Sequence, residues 1–324
     1  SRERPVEALL SGPAASVMGM MALMPSCSED TLVLDMGGTT TDIALLAAGQ
    51  PVLSPDDLAV NGRSTLVRAL KSVSIGLGGD SQVTVTSGVQ VGPLRKGPAL
   101  AFGGTDGPTF LDCLNVLGHA DAGDVAASRA GVESLAAAHG LRAESLSRQV
   151  LDYARSRVAS AVRSLLDDVN SRPVYTLAAL LEERAVRPAR AVLVGGPAEA
   201  VAPLLGEALG IPVETLGDPV LGPVANAIGA ALTRPTASLD LFADTAAGVL
   251  LVPSLGIRKS ITRRYTLEEA KAEACALLRE QAAFVSASPE IDVTEAQLFA
   301  TLDEYGRGGR DIRVRCQLRP GVER

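Results

Sequence analysis

Apolar residues run along this chain in two periods, and the changes of period mark its elements. Between residues 145 and 169 the positions Val150, Leu151, Ala154, Val158, Ala161, Val162, Leu165, Leu166 and Val169 recur at helical spacing. They predict a long amphipathic helix whose charges mostly lie off the apolar stripe, on a solvated face. Ser11-Gly12-Pro13 has the form of a helix start, with Pro13 at the first helical position and Ala14, Ala15, Val17, Met18, Met20 and Met21 behind it. Ala15 and Gly19 give that helix a smooth face for close packing, and its methionines read as core filler.

The shorter period belongs to strands. Leu32-Val33-Leu34 is a buried run ending at Asp35, and a return strand covers residues 40–47, turns at Ala48-Gly49-Gln50 and continues as Pro51-Val52-Leu53. Three consecutive antiparallel strands are expected, in a mixed sheet. Val73-Ser74-Ile75 leads into a second glycine cluster, and Val83-Thr84-Val85 is expected to pair with Val89-Gln90-Val91 across the two-residue turn Ser87-Gly88. Residues 96–108, rich in Gly and Pro, read as a long ordered loop over a site, followed by a short helix at 110–117. Ala191-Val192-Leu193-Val194 then enters Gly195-Gly196-Pro197, a helix from Ala198 to Gly210, and a strand at Ile211-Pro212-Val213; Pro223 opens a further small-residue helix through Leu232.

Thr233-Arg234-Pro235-Thr236 breaks this pattern, so a main domain of residues 1–235 and a smaller α+β subdomain of residues 236–324 are expected. In the smaller part residues 246–253 are strand-like and residues 267–284 helical behind an N-cap at Thr266. Ile312, Val314, Cys316 and Leu318 alternate against Asp311, Arg313, Arg315 and Gln317, as in a strand buried on one face. Arg258, Lys259, Arg263, Arg264, Arg307 and Arg310 read as ordinary exposed charge.

Composition narrows the class. Hydrophobic residues make up 47% of the 324, but aromatics only 3% with no Trp, so the core must be built from Ala, Leu and Val, as in layered α/β proteins. A net charge of −7 argues against general affinity for nucleic acid or an anionic membrane. Four widely separated cysteines and two histidines suggest neither a disulfide framework nor a zinc site, and a reducing, cytoplasmic setting is expected. Residues 8–24 are too interrupted by Ser, Gly and Pro for a signal or a span.

The chemistry concentrates at Asp35-Met36-Gly37-Gly38-Thr39-Thr40-Thr41-Asp42. Glycines lacking Cβ let backbone N–H groups approach an anion, threonine hydroxyls add donors, and Asp35 can hold a hydrated divalent cation against phosphate charge. An ordinary Gly-Gly hairpin is the bland alternative, against which stand a carboxylate on each side and three threonines. The segment around Gly78 and Gly79 is a second candidate ligand loop, although a plain turn would look the same. Gly195 and Gly196, at the carboxyl end of a strand, suit either an adenosine lying on bare backbone or close helix-to-strand packing.

With these pieces in order, the chain resembles the hydantoinase/oxoprolinase A family of the actin, sugar kinase and heat-shock chaperone superfamily. Ser11-Gly12-Pro13-Ala14 is similar to its SGPA segment, residues 35–42 to its DMGGTSTD element, residues 74–81 to its SxGAGGGS loop, and residues 97–118 to its GPACYG and PTVTDANLVLG stretch, over residues 5–232 in all. The resemblance implies a ribonuclease-H-like, actin-like ATPase lobe, a mixed sheet flanked by helices, with ATP lying between two lobes. It also implies an ATP-dependent enzyme that opens a cyclic amide by phosphorylating its carbonyl oxygen. By resemblance Asp35 and Asp42 would be catalytic, Asp35 would organise Mg²⁺, Gly37, Gly38, Thr39 and Thr40 would hold the β and γ phosphates, Gly78 and Gly79 would border them, and Gly195 with Gly196 would border the adenosine.

Three departures accompany it. No earlier DxGGTxTD element precedes Asp35, so a missing N-terminal lobe and a fragment of a longer protein are expected; Asp80 stands where a third glycine is usual; and Pro197-Ala198-Glu199-Ala200 replaces a glycine-leucine-histidine run. A non-catalytic actin-like ATP-binding module, regulating or assembling with a partner, is therefore the alternative to an enzyme. Substrate, partner subunit and homo-oligomer all stay open at this stage.

Overall fold

The computed structural model describes residues 11–24, 28–52, 54, 59–60, 63–64, 70–171, 185–216, 221–234, 237–283, 290–302, 308–319 and 321–322. Contacts divide the chain into two units, residues 1–233 with 322–324, and residues 234–321. Leu53, Cys27, Phe284 and Arg307 lie outside the described residues.

The first unit contains, in order, helix α1 (Ser11–Leu23), strands β1 (Thr31–Met36), β2 (Thr41–Ala47), β3 (Gln50–Pro51), β4 (Ala59–Val60), β5 (Arg63–Ser64), β6 (Ser72–Ile75), β7 (Val83–Val85) and β8 (Val89–Val91), helices α2 (Phe110–Leu117), α3 (Val125–Ala138) and α4 (Ala143–Asn170), strand β9 (Arg190–Val194), helix α5 (Ala198–Leu209), strand β10 (Val213–Glu214) and helix α6 (Leu221–Leu232). Its main sheet runs β10-β9-β1-β2-β3, with β6 also on β2. The mixture is real: β1 pairs antiparallel with β2 and parallel with β9, and β9 is parallel to β10.

Alternation along β1 sends its two side-chain sets to opposite faces. Leu32, Leu34 and Met36 join Ile43, Leu45, Leu193 and the buried stripe of α4, including Val150, Val158 and Leu165. Val33, Ala44, Leu46, Val192 and Val194 pack on the other face against Val17, Met20 and Met24 of α1 and Ala225 of α6. Those two helices touch backbone to backbone. A Cβ at Gly19 would overlap the Ala225 carbonyl, and one at Gly229 would overlap that of Ala15, so the smooth stripe of α1 meets its counterpart on α6.

Between the glycine-rich loop and α3, one carboxylate organises the chain. Asp112 is fully buried and accepts hydrogen bonds from Leu100 N (3.1 Å), Ala101 N (3.0 Å), Thr109 N (2.8 Å), Thr109 Oγ1 (2.9 Å) and Ser128 Oγ (2.6 Å). Asn115 extends the knot to Ala122 and Ser128. Leu100 and Ala101 are thus pinned by their own backbone to α2 and, through the amide of Asp124, to the start of α3.

Three expectations shift. The β7–β8 register pairs Val85 with Val89, leaving three residues in the turn rather than two, and Thr86 N bonds Gly88 O. The strand expected at residues 211–213 begins at Val213, and strand structure expected from 246 begins at Val249 after a turn in which Ala246 N and Ala247 N bond Asp244 Oδ1. Helix α3 and strands β4, β5, β11, β13 and β14 were not foreseen.

The second unit is an antiparallel sheet, β13-β12-β11-β15-β14, with one helix on one face. Its elements are β11 (Ser238–Asp244), β12 (Val249–Val252), β13 (Ile257–Ser260), α7 (Leu267–Ala282), β14 (Ile291–Leu302) and β15 (Gly308–Leu318). Thr266 caps α7, its hydroxyl accepting from Glu269 N at 3.2 Å while Glu269 Oε2 accepts from Thr266 N at 2.7 Å. Ala270, Ala274, Leu278 and Ala282 bury that helix on Leu239, Leu241, Ile312, Val314, Cys316 and Leu318.

Candidate functional site

The site forms where β1 and β2 leave the core of the first unit. Asp35 and Asp42 are directly opposed across the strands, so their side chains share one face, that of α1 and α6. Both are half-buried. Between them Gly37 N closes the bend on Thr40 O at 2.9 Å. Among the described residues the next three amides, of Gly38, Thr39 and Thr40, donate to no protein acceptor, and Gly38 and Thr40 are exposed. Consecutive unspent N–H groups in a bend make a concave anion-binding surface.

The second glycine segment lies directly against this bend. Gly79 N donates to Gly37 O (2.9 Å) and Asp80 N to Gly38 O (2.7 Å), which leaves the bend's carbonyls occupied and its amides free. Gly78 is buried, and a Cβ there would stand 2.5 Å from Gly37 O and 2.6 Å from Thr39 N. Only glycine allows that approach. Gly78 N bonds Ser81 Oγ at 2.8 Å and Thr41 Oγ1 bonds Leu77 O at 2.7 Å, fixing the loop to the strand.

The third segment divides its two readings between its glycines. Gly195 has φ +109° and sits so close to Met36 O that a Cβ would overlap it, whereas nothing lies within 4 Å of a Cβ at Gly196. Gly195 is therefore the packing residue and Gly196 the bare surface. Pro197 lies 3.7 Å from the Cβ position of Gly79, so all three glycine segments meet in one place.

Asp35 has neighbours that the sequence did not reveal. Ser16 Oγ, buried on α1, donates to Asp35 Oδ2 at 2.5 Å; Asn226 Nδ2 on α6 donates to Ser16 Oγ and to Gly12 O, both at 3.0 Å. The relay has one direction, because the single hydroxyl proton of Ser16 is spent on the carboxylate and its lone pair receives the amide. Burial pushes the Asp35 carboxyl above its ordinary value of 3.8, the Ser16 hydrogen bond pulls it down, and the Asp42 charge pushes it up again. Ser16→Ala is expected to move the Asp35 titration further upward, read by carbon-13 NMR of the carboxyl. An unmoved titration would remove the relay from any account of this acid.

A protein-family model described as hydantoinase/oxoprolinase matches residues 1–238. The chain belongs to the hydantoinase/oxoprolinase family. Its fold is shared by solved structures of other proteins, among them two that cover nearly all of this chain. A nucleotide-free acetone carboxylase, from work on ATP-dependent acetone carboxylation, is 16% identical with TM-score 0.61, covering 98% of this chain and 50% of the other. The ATP-dependent caprolactamase from Pseudomonas jessenii is 17% identical with TM-score 0.61, covering 97% of this chain and 49% of the other. This hydantoinase/oxoprolinase chain thus spans about half the length of the structures it matches, and its architecture is an actin-like α/β lobe with a mixed sheet plus a smaller α+β part. A search of curated proteins gives no significant match.

Among the described residues no group of three or more His, Cys, Asp or Glu could hold a metal unaided. A Mg²⁺ ion does not require one, since it keeps several waters and takes one or two carboxylates plus phosphate oxygens. Asp35 fits that habit: Ser16 occupies Oδ2, and no hydrogen bond is made to Oδ1 among the described residues. No helix among the described residues is long and apolar enough to cross a membrane.

Proposed function

We propose that the bend at residues 37–40 binds the phosphates of ATP, and that the chain carries the ATP-handling part of an enzyme opening a cyclic amide. The carrying observation is the run of unspent amides from Gly38 to Thr40 set between Asp35 and Asp42 in a hydantoinase/oxoprolinase chain. Bound Mg-ATP would supply the phosphoryl group that makes an unreactive amide carbonyl electrophilic enough for water. The amides of Gly38, Thr39 and Thr40 orient and stabilise its phosphate oxygens without reorganising, because the hydrogen bonds from residues 79 and 80 already fix the bend. Asp35, whose carboxylate is fixed by Ser16, would hold a hydrated Mg²⁺ that neutralises phosphate charge, and Asp42 would add a second acceptor on the same face. Gly196 offers the uncovered backbone for the adenosine.

Titration calorimetry with Mg-ATP, followed by a turnover screen over hydantoins, 5-oxoproline and lactams on the chain joined to any upstream lobe, tests this reading. Binding that requires Mg²⁺ and turnover with at least one cyclic amide are expected. Binding without turnover across the screen would replace the enzyme with the non-catalytic ATP-binding module, which the acid beside Gly38 favours. Absence of binding would end both.

A further inference from the structure

Asp80 occupies an unexpected place. Its carboxylate oxygen Oδ2 stands 2.7 Å from where a Cβ on Gly38 would lie, beside the first of the three unspent amides, and it is mostly shielded, with its side chain 18% exposed. An uncompensated carboxylate there would repel any phosphate entering the bend. It is compensated: Arg95 Nη2 lies 2.9 Å from the same oxygen, and the Arg95 side chain is 50% exposed. Among the described residues Arg95 has no other ion-pair partner. The bend therefore carries an acid in the neighbourhood an anionic ligand would want, and a half-solvated guanidinium held beside it by that acid.

We propose that the Asp80–Arg95 pair is an electrostatic latch on the phosphate bend. Without ligand, the carboxylate stands beside Gly38 as a surrogate anion and keeps Arg95 at the rim. When a polyphosphate arrives, Arg95 exchanges partners, from Asp80 to a phosphate oxygen, which its planar fork can meet bidentately. No covalent bond changes. Every binding event then includes the loss of one ion pair, so Asp80 sets the affinity downward and makes Arg95 useful only to a ligand able to outbid it. The inference rests on the nucleotide reading of the bend, and it assigns a task to the residue by which this chain departs from its family's glycine.

The latch has a signature that a static ion pair lacks. In the wild-type protein, losing Arg95 removes a phosphate contact and also removes the cost of breaking the pair, so the two effects offset. With Asp80 already neutral, losing Arg95 removes the contact alone. Calorimetric titration with Mg-ATP, and separately with inorganic tripolyphosphate, should be run on the chain joined to any upstream lobe, as wild type, Asp80→Asn, Arg95→Gln and the double variant. Asp80→Asn is expected to tighten binding about tenfold, and Arg95→Gln to weaken it about tenfold in the Asp80→Asn background but at most about twofold in wild type.

Equal effects of Arg95→Gln in both backgrounds, or an affinity unmoved by Asp80→Asn, would overturn the latch while leaving the nucleotide reading intact. A lowered melting temperature with unchanged affinity would mark the pair as a loop staple and overturn it too. If neither wild type nor any variant binds either probe, the phosphate reading of the bend falls and the latch falls with it. Asp80→Asn is isosteric and Arg95→Gln only shortens a half-exposed side chain, so the variants retain the fold against which affinity is compared.

Discussion

Asp35→Asn should abolish ATP turnover and at the same time make the folded protein more resistant to heat. The two effects have one origin. The carboxylate is half-buried against α1 and faces Asp42 across the strand pair, so the fold disfavours its charge and its titration is raised by that burial. A group whose folded pKa lies above its unfolded value contributes stability that is present below the unfolded value and is lost as pH rises through the folded one. At neutral pH the ionised Asp35 is therefore a cost to folding that an amide of the same shape does not carry. On the proposed reading the exchange removes the carboxylate that would hold the cation's water, and kcat is expected to fall at least about a hundredfold, the scale of losing one preorganised electrostatic contact. Steady-state ATPase assays and scanning calorimetry on the same preparations check both halves. Undiminished turnover would take Asp35 out of the chemistry, and a lowered melting temperature would show that its charge serves the fold.

Asp112→Ala should be the most damaging single truncation in the first unit. Five donors converge on this buried carboxylate, three of them backbone amides of residues 100, 101 and 109 that have no alternative acceptor once the side chain is gone. Leaving buried donors unpaired costs roughly 1–3 kcal/mol each, so a net loss of about 4–5 kcal/mol is expected after partial relaxation, a large share of the roughly 5–15 kcal/mol available to a domain. Asp112→Asn fares little better, because its amide group points a donor at donors. Chemical denaturation followed by a probe in the first unit should show the midpoint shift, with hydrogen exchange at residues 99–104 and 125–131 accelerated. A loss below about 1 kcal/mol would show that water replaces the carboxylate.

The glycine-threonine bend at residues 37–40 stood out in the sequence because its residue types have no evident packing explanation there, and the mixed sheet because Leu32 to Leu34 and Ala191 to Val194 are apolar on both faces. Helix α4 announced itself through nine apolar positions at one spacing. Helix α3 did not, since it buries only Ser128, Val132 and Ala136 and so lacks an apolar stripe. Strand β14 escaped for the same reason, its side chains being largely half-buried or exposed, with no alternation to read. The relay onto Asp35 was hidden more deeply. Ser16 sits in a stripe of small residues whose evident purpose is close packing, and Asn226 reaches it across 210 positions of chain. The two roles of Gly195 and Gly196 could not be separated from spacing, because the distinction lies in which of them meets the Met36 carbonyl.

Strand β1 draws one of its two neighbours from far along the chain: Leu32 faces Leu45 on one side and Ala191 on the other. During synthesis the hairpin side can zip as soon as it emerges, but the opposite edge stays bare until the ribosome has made some 150 further residues. For that interval an apolar ribbon with free backbone donors and acceptors is available to any other unfinished copy. The long α4 helix, translated in between and packed on the same sheet, covers the ribbon's face but not its edge, so the vulnerable period of this protein ends only when residue 194 docks.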